Sequence, residues 1–174
     1  VFVTNAYDET GKLLTGASPK AMIALLEGLR ADAIGINCSL GPHQMKEIAK
    51  EYTEYSSLPV IVSPNAGMPR TENGRTVFDV DAEEFSLVMK EIAEMGATVL
   101  GGCCGTTPDY IRATVDKTKN LPFSPAQNKN LTLVSSYTHA VEIGNSPVLI
   151  GERINPTGKK RFKEALREGD INYI

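Results

Sequence analysis

The strongest constraint in this sequence is a fourfold alternation, from the N-terminus to about Lys119, of a short apolar run with an amphipathic stretch. Residues 1–4 read as a strand, and Ser18-Pro19 opens a helix as N-cap and first-turn proline. Met22, Leu25, Leu26 and Leu29 recur at i, i+3, i+4 and i+7, so they share one helical face. Residues 33–37 form the next apolar run, and Pro42 opens a second helix with Met45, Ile48, Ala49 and Tyr52 inward. A third run, PVIVS at 59–63, is followed by a polar loop, 64–79, and a third helix. There Asp81 and Glu84 have the spacing of a capping box, Phe85, Val88, Met89 and Ile92 form the apolar stripe, and Gly96 is the stop. Residues 98–101 are the fourth strand, and Thr107-Pro108 starts a helix carrying Ile111 and Val115.

Four βα units in series imply an α/β fold with a parallel sheet and helical crossovers. The strands are nearly continuous apolar runs, as expected when both faces are covered. A doubly wound sheet and half of a (β/α)8 barrel share this pattern, and periodicity does not choose between them. At residues 120–147 the alternation lapses; LPFSPAQNKN is rich in Pro and Asn and reads as an interdomain linker. An apolar run at 148–151 and a helical stretch at 159–167 then read as the first βα unit of a second domain, 148–174.

A net charge of -3 gives no electrostatic footing for nucleic acid or an anionic membrane surface. No apolar run approaches the roughly 20 residues of a membrane span. The chain opens on a strand-like run without initiator Met or leader pattern, as an interior segment of a longer protein would. Three cysteines, two of them adjacent, suit neither a disulfide framework nor an oxidising compartment; a reducing, cytoplasmic setting is expected.

Cys38 follows the second strand and Cys103-Cys104 follow the fourth, within GGCCG. In parallel α/β folds the loops after strand C-termini build the functional site, so all three thiols are expected at one face. Gly101, Gly102 and Gly105 free the backbone around the vicinal pair. Three converging thiolates suit zinc, and three ligands instead of four leave a position open, as in catalytic sites. His43, in a helical first turn, and His139, in the linker, are poorly placed as a fourth. Zinc with three thiolates carries a net formal charge of minus one, an electron-rich setting in which an added thiol stays nucleophilic. The alternatives are a buried apolar role for Cys38 alone, a structural metal site, or a redox-sensing pair.

GINCSLGP at 35–42 and GGCCGTTP at 101–108 resemble the paired signatures of the homocysteine S-methyltransferase family. The resemblance covers about residues 1–117 and implies a (β/α)8 barrel of which strands five to eight, its C-terminal half, occupy 1–119. It implies that Cys38, Cys103 and Cys104 are zinc ligands and that homocysteine is the methyl acceptor. GERINPTGKKRFKEAL at 151–166 resembles the opening of the pterin-binding barrel of the cobalamin-dependent methionine synthase family, in which Glu152 and Asn155 match positions lining the pterin pocket. Barrel followed by barrel implies 5-methyltetrahydrofolate as methyl source and methylcobalamin, on another module, as carrier. Acidic residues that hold the homocysteine amino group in the family belong to the first half-barrel. A zinc homocysteine methyltransferase with another donor is the nearest enzymatic alternative.

Overall fold

A computed structural model describes residues 1–152 and 154–174, and divides them into two compact units, Val1–Gly144 and Asn145–Ile174. In the first unit β1 (Phe2–Asn5), β2 (Ala33–Asn37), β3 (Val60–Ser63) and β6 (Val99–Leu100) form a parallel sheet in that order. Every neighbour in space is the next of these strands in sequence, without the order reversal that marks a doubly wound sheet. Backbone bonds from Thr98 N–H to Val60 and from Gly101 N–H to Val62 carry the last pairing across all of residues 98–101.

The crossovers are α1 (Pro19–Gly28), α2 (Pro42–Tyr55) and α3 (Ala82–Glu94), and α4 (Pro108–Thr118) follows β6. α1 packs on α2, α2 on α3 and α3 on α4. The Ser18 hydroxyl caps α1 by accepting from Ala21 N–H, and Asp81 caps α3 by accepting from Glu84 N–H. The return half of the expected capping box does not form, because the Glu84 carboxylate accepts from His43 on α2 instead. Met45, Ile48, Ala49 and Tyr52, and Phe85, Val88, Met89 and Ile92, are all buried as their spacing requires. Each large side chain sealed from water in this way contributes roughly 1.5–3 kcal/mol.

The outer helices depart from expectation. On α1, Leu26 and Ile23 are buried, whereas Leu25 and Leu29 are exposed. On α4, Ile111 and Val115 are exposed and Thr114 is the buried residue. Helical spacing identifies an apolar face but not what covers it.

Two hairpins were not anticipated. Within the 64–79 loop, β4 (Pro69–Glu72) and β5 (Arg75–Phe78) pair antiparallel around Asn73-Gly74, both at positive φ, the Asn-Gly turn that matches strand twist. Residues 120–147 are not linker throughout. β7 (Thr132–Ser135) and β8 (Ala140–Ile143) form a second hairpin against α1, held by Lys20–Glu142 and by Ser18 N–H donating to Thr138. The Pro- and Asn-rich stretch before it conceals two short β-prone runs, TLVS and AVEI.

The second unit contains α5 (Lys160–Glu168), close to the expected 159–167, ended by Gly169 in the left-handed conformation. The strand expected at 148–151 is absent. A parallel strand needs neighbours for its backbone groups, and the described residues of this unit supply none; Leu149 and Ile150 are exposed.

Candidate metal centre

The three cysteines meet. Cys38 Sγ lies 3.7 Å from Cys104 Sγ across 66 residues, and Cys103 Sγ lies 4.0 Å from Cys104 Sγ. All three sulfurs fall within 4.8 Å of one another. A tetrahedral zinc with Zn–S bonds of about 2.3 Å would set its sulfurs roughly 3.8 Å apart, so the donor set fits that ion. Among the described residues this is the only grouping of three His, Cys, Asp or Glu side chains with metal-binding spacing. His43 is bonded to Glu84 at 2.8 Å and His139 to Thr138, neither within the cluster.

The cluster is assembled by backbone turns at the strand C-termini. Cys38 and Ser39 both take left-handed φ, 57° and 62°, which non-glycine residues adopt at a cost of about 1–3 kcal/mol each. The turn is held by Cys38 N–H donating to Ser63 and Leu40 N–H donating to Cys38. The loop after β3 lies between the two sulfur loops and binds both. Asn65 N–H donates to Leu40, Cys103 N–H donates to Pro64 and Ala66 N–H donates to Cys104.

Two glycines are demanded by close approach. A β-carbon on Gly35 would sit 1.9 Å from the Ile61 carbonyl oxygen, so β2 and β3 meet there only without a side chain. Gly105, at φ 80°, turns the chain after Cys104, and a β-carbon there would strike the Phe78 ring at 2.3 Å. Of the three glycines expected to relax this turn, only Gly105 uses positive φ.

The thiols differ in acidity. Burial works against ionisation of Cys38, but donation from the Ser39 N–H, the other two thiols and Asn65 outweighs it and holds the thiol below its ordinary range. Cys103 is pushed up to about 11, first by burial and then by its contact with Cys38. Beside the cluster, a largely apolar cleft of about 440 Å³ is lined by Tyr7, Leu14, Ser39, Leu40 and Met68.

Two neighbours of the cysteines were not anticipated. Asn65, 4% exposed, accepts from Cys104 N–H through Oδ1; in sequence it is only the Asn of a turn-like PNAG. Phe78 belongs to the missed hairpin, for which Asn73-Gly74 was the available signal.

With this geometry in place, relatedness is decisive. The homocysteine S-methyltransferase family model matches residues 1–118. The chain belongs to the homocysteine S-methyltransferase family. It is 36% identical to the methionine synthase of Mycobacterium leprae (strain TN) and 35% identical to that of Mycobacterium tuberculosis (strain ATCC 25618 / H37Rv). Each match covers 95% of this chain but 14% of the relative, so the chain spans about one seventh of these proteins. Among solved structures, the homocysteine methyltransferase MmuM from Escherichia coli in its oxidized form superposes with a TM-score of 0.51 at 25% identity, over 67% of this chain and 35% of that one. The family match ends with α4, whereas the methionine synthase matches take in nearly the whole chain.

In the second unit, Asn155 Nδ2 donates to Glu152 Oε1 at 2.9 Å, and Thr157 N–H donates to Asn155 Oδ1. The Glu152 carboxyl is lowered below its usual range, first by the Asn155 amide. The two residues expected in the pterin pocket are thus brought together within one turn. Arg153, in the same motif, lies outside the described residues.

Proposed function

We propose that this chain is the homocysteine-activating part of a cobalamin-dependent methionine synthase. In this reading residues 1–119 are the C-terminal half, strands five to eight, of a (β/α)8 barrel. Residues 120–147 connect it to the start of a pterin-binding barrel at 148–174. The sequential parallel order of β1, β2, β3 and β6 supports the first assignment, and the methionine synthase likeness beyond residue 118 supports the second. Cys38, Cys103 and Cys104 hold zinc, and the observation that carries the reading is the convergence of these sulfurs from two loops.

Zinc, when bound, supplies an electrostatic field that lowers the pKa of an incoming thiol. The chain's own residues present three sulfurs from the loops after β2 and β6. The homocysteine thiol would release its proton to solvent, and its sulfur would form a bond to the methyl carbon. The bond between methyl and donor breaks, and the donor keeps the electron pair. Methylcobalamin on another module would supply the methyl group, and Glu152 and Asn155 would be among the residues that hold its source, 5-methyltetrahydrofolate. The remaining segments of the same enzyme, the first half-barrel among them, complete the pocket.

The test is made on the intact protein. Cys103→Ala and Cys104→Ala abolish methylation of homocysteine while methyl transfer from the folate to cobalamin survives. Loss of both half-reactions together would end this division of labour. X-ray absorption at the zinc edge then counts one more sulfur neighbour after homocysteine is added; an unchanged count would mark a closed, structural site.

A further inference from the structure

The loop after β1, residues 6–17, forms one wall of the cleft beside the sulfur cluster, which Tyr7 and Leu14 line together with Ser39, Leu40 and Met68. The loop is folded on itself. The Asp8 carboxylate accepts from Thr10 N–H and Lys12 N–H, Leu13 N–H donates to Ala17, and Gly16 N–H donates to Leu13. A loop packed on its own groups in this way takes its position from its two ends.

Those ends are fastened differently. At the first, the Tyr7 hydroxyl is bonded at 2.8 Å to that of Tyr52 on α2. At the second, Ser18 N–H donates to the Thr138 carbonyl at 3.2 Å, and a β-carbon on Gly16 would stand 3.4 Å from Thr138 Cγ2. Thr138 belongs to the turn of the β7–β8 hairpin, so the second fastening comes from the stretch that reads as connector.

The hairpin reaches this place from the far end of the sheet. Before it, Lys129 N–H donates to Ser57 Oγ, between α2 and β3, where the strands begin. Leu131 and Leu133 share a cleft with Ala24, Glu27 and Gly28 near the end of α1. The turn then lies at the start of α1. On the return strand Glu142 is 3.6 Å from Lys20 Nζ, which stands 3.6 Å over the Tyr55 ring. The hairpin thus follows α1 along its length, and all of these contacts are made within Val1–Gly144. A passive connector has no need to climb to the strand ends, the face on which parallel α/β folds keep their chemistry.

We propose that the β7–β8 hairpin sets the position of this wall of the cleft for homocysteine, with Thr138 and Glu142 as positioning residues. This rests on the homocysteine reading above. When the hairpin is lifted, only a fraction of molecules present the wall in its binding position, and apparent affinity falls by that fraction. Once substrate is bound the wall is in place, so the rate at saturation is unchanged.

The test uses the intact, zinc-loaded enzyme. Glu142→Lys sets a second cation beside Lys20 and raises the KM for homocysteine roughly two- to fivefold, with kcat and zinc content unchanged. Amide exchange at residues 13–18 quickens in the same variant. Lys20→Glu combined with Glu142→Lys restores an opposite-charge pair and returns the KM most of the way to that of wild type. Thr138→Ala removes only the methyl against Gly16 and shifts the KM in the same direction, which keeps the test open if Glu142→Lys fails to fold. Faster amide exchange with an unchanged KM, or a fall in kcat without a change in KM, overturns the positioning role. A wild-type enzyme that does not methylate homocysteine instead overturns the functional reading beneath it.

Discussion

The Cys104 N–H donates to Asn65 Oδ1 at 3.1 Å, and the same amide lies against the Cys38 thiol. One buried side chain from the loop after β3 thereby braces sulfurs delivered by the loops after β2 and β6. The sulfur cluster is built by three consecutive strand ends, although only two of them supply thiols.

Replacing that brace tests its part in the centre. Asn65→Ala leaves a backbone donor without its acceptor and is expected to destabilise the protein by about 1–3 kcal/mol. It also weakens zinc retention against a chelator, because Cys104 is no longer held in register with Cys38. Asn65→Asp keeps the acceptor and should recover most of the stability. Chelator competition that is identical in wild type and Asn65→Ala would show that the brace does not act on the sulfurs.

Gly105→Ala combines a left-handed φ with collision against Phe78, so the turn carrying Cys104 must shift. We expect a loss of roughly 1–3 kcal/mol in urea denaturation together with lower zinc content. Gly105→Ala paired with Phe78→Ala removes the collision but not the φ penalty, and should recover part of the loss.

Tyr7 and Tyr52 share a buried hydrogen bond, 2.8 Å between hydroxyls, that ties the loop after β1 to α2. Either Tyr→Phe variant leaves a hydroxyl short of a partner and costs about 1–2 kcal/mol, and the double variant costs less than the sum. Burial, then contact with its partner, raises the Tyr7 phenol far above its usual range; Tyr52 is pushed up to about 12, chiefly by burial. The unfolded chain ionises near the ordinary value of 10.0 while the folded chain keeps its protons, so stability is full below pH 10 and falls as pH rises toward 12. Urea midpoints measured across that window should fall less steeply for the double Phe variant.

On the proposed zinc reading, metal uptake releases protons. At neutral pH the metal-free Cys103 thiol, pushed up to about 11, holds its proton and must lose it to become a ligand. Apparent zinc affinity therefore rises with pH through the neutral range, and calorimetry in buffers of different ionisation enthalpy should register the released protons. Affinity independent of pH would mean that the thiols are not the ligands.

What the primary structure determined by itself was local and periodic. Pro19, Pro42 and Pro108 begin helices where a missing N–H does no harm, and the stripes of α2 and α3 are buried as their spacing demands. The cysteine motifs marked where thiols would gather, because loops after strand C-termini open on one face of a parallel sheet. Tertiary structure decided everything that depends on distance between remote residues. It brought Cys38 within reach of Cys104, set Asn65 between their loops and seated Phe78 on Gly105. It left Ile111 and Val115 exposed, and it made a hairpin of residues that read as linker. The reason is physical: helical and strand periods are properties of neighbouring residues, whereas contact across a parallel sheet depends on register, which no single segment specifies alone.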